Sequence, residues 1–132
     1  FILNLLPSGI LRDDTVNVMG LGMVIDVEHL YGEVARLREA GIKITPDNLK
    51  ISDRATICMP YHKLLDNLEE DRLGDAKFGS TRRGIAPVYA DKYMKKALRM
   101  GDLLNMEHTA RRLPSIVEWK NLTIAGGYGH DR

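Results

Sequence analysis

Cysteine is almost missing from this chain of 132 residues: Cys58 stands alone, in an apolar run between Ile57 and Met59. One thiol closes no internal disulfide, and no Cys/His spacing of the metal-binding kind surrounds it, so a disulfide scaffold and a zinc module are both excluded. Cys58 is expected as a buried thiol in a reducing compartment. Long hydrophobic runs are missing as well. No stretch approaches the roughly 20 apolar residues that span a bilayer, and no signal-peptide pattern is visible. The expectation is a cytoplasmic protein with no membrane partner. No excess of one charge exists, with 19 basic against 18 acidic residues, and aromatics are few: two Phe, five Tyr and one Trp. Both shortages weigh against a nucleic-acid-binding surface. Internal repeats and low-complexity segments are absent too.

What is present fits one globular domain, with 44% hydrophobic and 28% charged residues. Phe1–Leu6 reads as a buried strand closed by the turn Pro7-Ser8-Gly9. Val16–Met19 and Met23–Ile25 read as short strands around the bend Gly20-Leu21-Gly22. The period then changes to helical. Asp26 suits an N-cap, Ile25 and Leu30 a hydrophobic staple, and Val27, Leu30, Tyr31, Val34 and Leu37 one apolar face ahead of Gly41. Leu49–Ser52 returns as a strand, which predicts a βαβ unit over 23–52 with a parallel pair. A second helix is predicted from Pro60, with Tyr61, Leu64, Leu65 and Leu68 inward. A third is predicted near Pro87, carrying Val88, Tyr89 and Tyr93 toward a core, and two short pieces from Asn105, broken before Pro114. Residues 1–58 thus form a strand-rich part with one crossover helix, and residues 59–132 a mainly helical part. The fold class is α/β with a helical extension in the second half, around a sheet too small to be complete. Phe1 opens an apolar run at full strength and IAGGYGHDR closes in a glycine-rich loop, so both ends are expected to be cuts in a longer chain.

Residues 77–92, KFGSTRRGIAPVYADK, raise the functional question. Glycines permit tight turns, hydroxyls donate hydrogen bonds, and guanidinium forks match phosphate or carboxylate oxygens. A helix beginning near Pro87 would add unpaired backbone N–H groups and the positive end of its dipole. The pattern reads either as an anion cradle or as a solvated surface turn, and the residues alone leave both open. The acidic run at 66–75 beside the basic run at 77–99 reads equally as two solvated faces.

The order of several motifs carries more. LLPSGIL at 5–11, the Gly-x-Gly bend into an apolar strand at 20–25, ISDRA at 51–55, PYHKLLD at 60–66, GSTRRGIAPVYADK at 79–92 and LRMGDLL at 98–104 resemble the adenylosuccinate synthetase family, collinearly to about residue 104. The resemblance implies an α/β fold around a large, mostly parallel sheet of the P-loop NTPase kind. It also implies a GTP-dependent ligase of purine synthesis that converts IMP, L-aspartate and GTP to adenylosuccinate, GDP and phosphate, with Mg²⁺ and as a homodimer. The family's phosphate loop, catalytic aspartate and histidine, metal ligands and guanine-recognition motif have no counterpart here. No catalytic or metal-binding residue is therefore assigned, and the 132 residues alone are expected to be inactive. His29, His62, His108 and His130 match no catalytic position and are expected at the surface.

By that resemblance Thr81 takes the place of the hydroxyl that contacts the IMP phosphate, and Ser80 keeps a neighbouring hydroxyl as a weaker IMP contact. Lys95 stands where the family has a third-helix arginine that reaches the partner subunit's IMP; lysine keeps the charge and loses the planar fork. Arg82 stands where many members have Gly, which argues against a required positive φ there. The alternative reading is a non-enzymatic binding or assembly module that keeps the fold.

Overall fold

Gly20-Leu21-Gly22 cuts the first extended segment in two, and the cut decides how the sheet is paired. The computed structural model describes residues 1–131. Its strands are β1 (Asn17–Met19), β2 (Val24–Ile25), β3 (Leu49–Ile51) and β4 (Thr56–Ile57); its helices are α1 (Val27–Glu39), α2 (Pro60–Leu73), α3 (Ile85–Tyr93) and α4 (Met106–Leu122). β1 pairs with β3 in parallel, Asn17 opposite Leu49 and Met19 opposite Ile51. β2 pairs with β4 in parallel, Val24 opposite Thr56.

The predicted pairing of Met23–Ile25 with Leu49–Ser52 is therefore corrected. The bend closed by Met23 N–H to the Gly20 carbonyl (3.1 Å) faces a second turn, closed by Ala55 N–H to the Ser52 carbonyl (3.2 Å). Both segments turn at the same level, so each half keeps its own neighbour, as Ser52 N–H to Met19 (2.9 Å) and Thr56 N–H to Met23 (3.1 Å) record. α1 is the crossover for both pairs.

The caps act as expected. Asp26 accepts the His29 N–H at 3.2 Å, Ile25 and Leu30 share one apolar cluster, and Gly41 leaves the helix at φ 90°. Tyr31 is exposed rather than inward, because the buried stripe of α1 runs through Leu30, Glu33 and Leu37 and Tyr31 lies off it. The Glu33 carboxylate receives the N–H groups of Asn4, Leu5 and Leu6 at 2.9, 3.0 and 3.4 Å. This replaces a strand ladder, and residues 1–6 are irregular, not the predicted strand; Phe1 and Ile2 are exposed while Leu6 is buried.

One apolar cluster, including Leu6, Ile10, Met19, Ile25 and Leu37, lies between α1 and the sheet. A second joins Ile57, Leu98 and Ile116, and Val27 and Met100 touch both. Each fully buried side chain of this size contributes about 1.5–3 kcal/mol.

The prediction of two pieces broken before Pro114 is also corrected: α4 is one helix with Pro114 inside it. Proline forfeits one bond, to the carbonyl of the exposed Ala110, while Thr109, Ile116 and Lys120 all bury on the opposite side and hold both halves. The glycine-rich end continues α4 as a wide π turn, Thr123–Gly127, rather than as a loop. Tyr93, expected inward, is exposed at the end of α3, whereas Val88 is fully buried. Among the described residues no helix is long and apolar enough to cross a membrane.

Candidate functional site

α2 is the unusual helix, because the face it buries is largely polar. His62, Asp66 and Glu70 recur at every fourth residue, which places them in one row, and all three are buried. Leu65 is buried too, while Tyr61, Leu64 and Leu68 are only partly covered. A buried polar row needs partners, and residues 78–91 supply them in order.

The Glu70 carboxylate accepts the N–H groups of Phe78 and Gly79, each at 3.1 Å. Asp66 accepts the Ser80 hydroxyl at 2.7 Å and the Gly84 N–H at 2.8 Å. His62 receives the Met59 N–H on Nδ1 at 2.9 Å, so its proton sits on Nε2 and is donated to Asp91 at 2.6 Å. The expectation of a surface histidine at 62 is thus overturned; its side chain is fully buried. Nor is the acidic run a solvated face, since Asp66 and Glu70 lie inside. The signal that would have found them is the four-residue spacing His62, Asp66, Glu70 read as an inner row.

The loop held this way turns left-handed three times, at Gly79 (φ 76°), Arg82 (φ 60°) and Gly84 (φ 82°). The expectation that Arg82 excludes a positive φ is corrected: its N–H bonds Ser80 Oγ at 3.0 Å and its guanidinium bonds Asn67 (3.2 Å) and Asp71 (2.9 Å), which offsets the backbone strain. Gly84 has no such freedom. A Cβ there would lie 2.8 Å from the His62 carbonyl carbon, so α3 crosses α2 at backbone contact.

α3 begins at Ile85, two residues before the predicted Pro87. Asp66 occupies the Gly84 N–H and Pro87 has none, so the free amides of the first turn are those of Ile85 and Ala86; neither bonds to another described residue. Thr81, Arg82, Arg83 and Ile85 line a cavity of about 530 Å³ together with Lys63 and Asp26, whereas Ala86 lines a different groove. The Thr81 hydroxyl and the Arg83 guanidinium have no hydrogen-bond partner among the described residues, and both residues are exposed. Lys63 is paired with Asp26. Burial opposes the Asp26 charge, but the Lys63 ammonium and the His29 amide hold its carboxyl below the usual range. Cys58 donates its S–H to the Arg83 carbonyl at 3.3 Å, and burial, with Asp26 nearby, pushes the thiol up to about 11. It ties β4 to the loop and is no nucleophile.

The structure brings Thr81 to this cavity and turns Ser80 away from it. The Ser80 hydroxyl is committed to Asp66, and Ser80 lines a separate groove of about 660 Å³ with Phe78, Pro87, Trp119 and Tyr128. Lys95 lies beyond α3, in the turn after Tyr93 at φ 60°, and not within the helix. It lines a third cavity of about 320 Å³ with Lys92, Arg99 and Arg112, where Asp102 faces Arg112 at 3.5 Å. Thr81 and Lys95 thus face different cavities of one chain. Among the described residues no three His, Cys, Asp or Glu side chains gather as a metal site.

A family profile described as Adenylosuccinate synthetase matches residues 1–130. The adenylosuccinate synthetase of Clostridium kluyveri is 44% identical over 129 residues, 98% of this chain and 30% of that protein. That of Brachyspira hyodysenteriae is 47% identical over the same share. The solved structure of fully ligated adenylosuccinate synthetase from Plasmodium falciparum superposes with a TM-score of 0.80 at 32% identity, over 96% of this chain and 28% of that one. The chain therefore spans about 30% of the length of the curated relatives it matches.

Proposed function

Because the chain belongs to the adenylosuccinate synthetase family, we propose that the full-length protein is the GTP-dependent ligase of purine biosynthesis. It phosphorylates the 6-oxygen of IMP and displaces that phosphate with the amino group of L-aspartate, as a cytoplasmic homodimer. This chain supplies substrate binding; no residue of it is assigned a bond-making role.

The observation that carries the reading is the Thr81 hydroxyl, beside the Arg83 guanidinium and the free amide of Ile85, all without a partner among the described residues. Each is a donor and none has a protein acceptor, which is the arrangement a phosphate dianion completes. Thr81 and the Ile85 amide take the oxygens of the IMP phosphate, Arg83 adds charge, and Cys58 Sγ–H holds the loop against β4. Fixing the phosphate anchors the purine for chemistry carried out by groups outside these residues. Ser80 supports the loop from behind. Lys95, with Lys92 and Arg99 around it, forms a second basic surface that serves the partner subunit's IMP.

Magnesium, which the family reading implies, would offset the negative charge of the nucleotide phosphates. The residues here do not form a site for it, since no cluster of three or more carboxylate, thiolate or imidazole groups exists among those described, and no step is derived through the metal.

Thr81→Ala in the full-length enzyme tests the reading. Losing a charge-assisted hydrogen bond costs about 1.5–3 kcal/mol, so the KM for IMP rises roughly 10- to 100-fold while the KM for GTP is unchanged. An unaltered KM for IMP removes Thr81 from the site. For Lys95, mixing Thr81→Ala with Lys95→Ala subunits regains activity, because hybrid dimers contain one intact composite site; no recovery refutes action across the dimer.

A further inference from the structure

Phosphate contacts in this loop are only as good as the loop's shape, and that shape is not set by the loop itself. Five residues, 80–84, contain two left-handed positions, one of them the non-glycine Arg82. A left-handed non-glycine residue is strained and persists only when its surroundings impose it. No apolar packing imposes it here: Thr81, Arg82 and Arg83 are all exposed. What brackets them is one carboxylate. Asp66 Oδ1 accepts the Ser80 hydroxyl at 2.7 Å and Oδ2 accepts the Gly84 N–H at 2.8 Å, so both ends of the segment are fastened to the same side chain of α2. Ser80 Oγ in turn accepts the Arg82 N–H at 3.0 Å, which carries the constraint into the left-handed turn.

We infer that Asp66 is a positioning residue of the phosphate site, pinning Ser80 and Gly84 so that the Thr81 hydroxyl and the free Ile85 amide converge on one anion. Its carboxylate is turned away from the ligand, each oxygen being engaged by a donor and the residue only 7% exposed. Asp66 also removes the Gly84 N–H from the set offered to the ligand, leaving the Ile85 amide and the Thr81 hydroxyl as the recognition geometry. The inference rests on the reading of Thr81 as a phosphate contact and names the group that keeps it in register.

The experiment uses full-length enzyme with IMP and GTP as the varied substrates. Asp66→Ala raises the KM for IMP about 10-fold or more and leaves the KM for GTP unchanged. A purely structural loss would lower the active fraction, and with it kcat, without moving either KM. Asp66→Asn stays within about threefold of the parent, because its amide oxygen still accepts the Gly84 N–H and its NH₂ group donates to Ser80 Oγ. Ser80→Ala severs one of the two fastenings, leaves the buried carboxylate in place, and raises the KM for IMP about threefold; it decides the matter if Asp66→Ala does not fold. The inference is overturned if Asp66→Ala, or Ser80→Ala in its stead, leaves the KM for IMP within twofold while Thr81→Ala raises it. Should Thr81→Ala also have no effect, the phosphate-site reading falls and the inference with it.

Discussion

Asp91 stands between His62 and Lys120, its Oδ2 2.6 Å from Nε2 and its Oδ1 2.5 Å from Nζ, so one buried carboxylate joins α2, α3 and α4. Burial alone would raise the Asp91 pKa, and the bonds from His62 and Lys120 overcome it and hold the carboxyl below its ordinary value of 3.8. Replacing it with Ala strands a buried ammonium, and breaking a buried pair in this way costs about 3–5 kcal/mol. Urea denaturation of Asp91→Ala against the parent measures it; a loss under about 1 kcal/mol would refute the role given to this junction.

The same group sets a pH dependence. Because its folded pKa lies below 3.8, its contribution is fully present above that pH and is lost as pH falls through the lower, folded value. Asp91→Asn should therefore flatten the acid limb of a stability–pH curve below about pH 4 and leave the curve's shape near neutrality unchanged.

Two glycines predict opposite signs. Gly84 combines φ 82° with a Cβ position 2.8 Å from α2 backbone, so Gly84→Ala strains both helices and destabilises by roughly 2 kcal/mol or more. Gly32, within α1, has nothing within 4 Å of its Cβ position, so Gly32→Ala stabilises by about 0.5–1 kcal/mol. Thermal melts of the two variants should move in opposite directions.

Glu33 is the acceptor for three consecutive backbone N–H groups. Glu33→Ala leaves those donors without a partner and costs about 1–3 kcal/mol. Cleavage within residues 1–6 by a nonspecific protease should accelerate in parallel; equal cleavage rates would show that the segment is held without Glu33, by Arg36 on the Ile2 carbonyl and by Leu6.

Cys58 should be inert while the protein is folded. With its pKa near 11 the thiolate fraction at pH 8 is about one in a thousand, so iodoacetamide should label the native protein at least ~100-fold more slowly than the urea-unfolded chain. Comparable rates would place the thiol at the surface.

Local chemistry was legible from the residues wherever it is decided within a few positions. The Asp26 cap, the Ile25–Leu30 staple, the Gly41 exit and the parallel α/β class all follow from spacing and backbone preference, and the motif order at 79–104 pointed to the family. Three readings failed for one reason: a distant partner outvoted the local pattern. Phe1–Leu6 has strand composition, yet its amides go to Glu33; Pro114 is a helix breaker, yet α4 is held through it by Ile116 and Lys120; Arg82 disfavours a positive φ, yet Asn67, Asp71 and Ser80 hold it there.

By itself, then, the sequence determined that a parallel α/β first half is followed by a helical second half, where α1 starts and stops, and that hydroxyls, guanidinium groups and glycines crowd ahead of α3. Only the tertiary structure decided that Thr81 faces the cavity while Ser80 faces away, that the polar row of α2 is its buried face, and that Lys95 opens on a different cavity. Caps and periodicity are short-range and act between residues a turn apart, whereas a buried carboxylate accepts whichever donors the fold brings to it, and Asp66 and Gly84 meet from 18 positions apart.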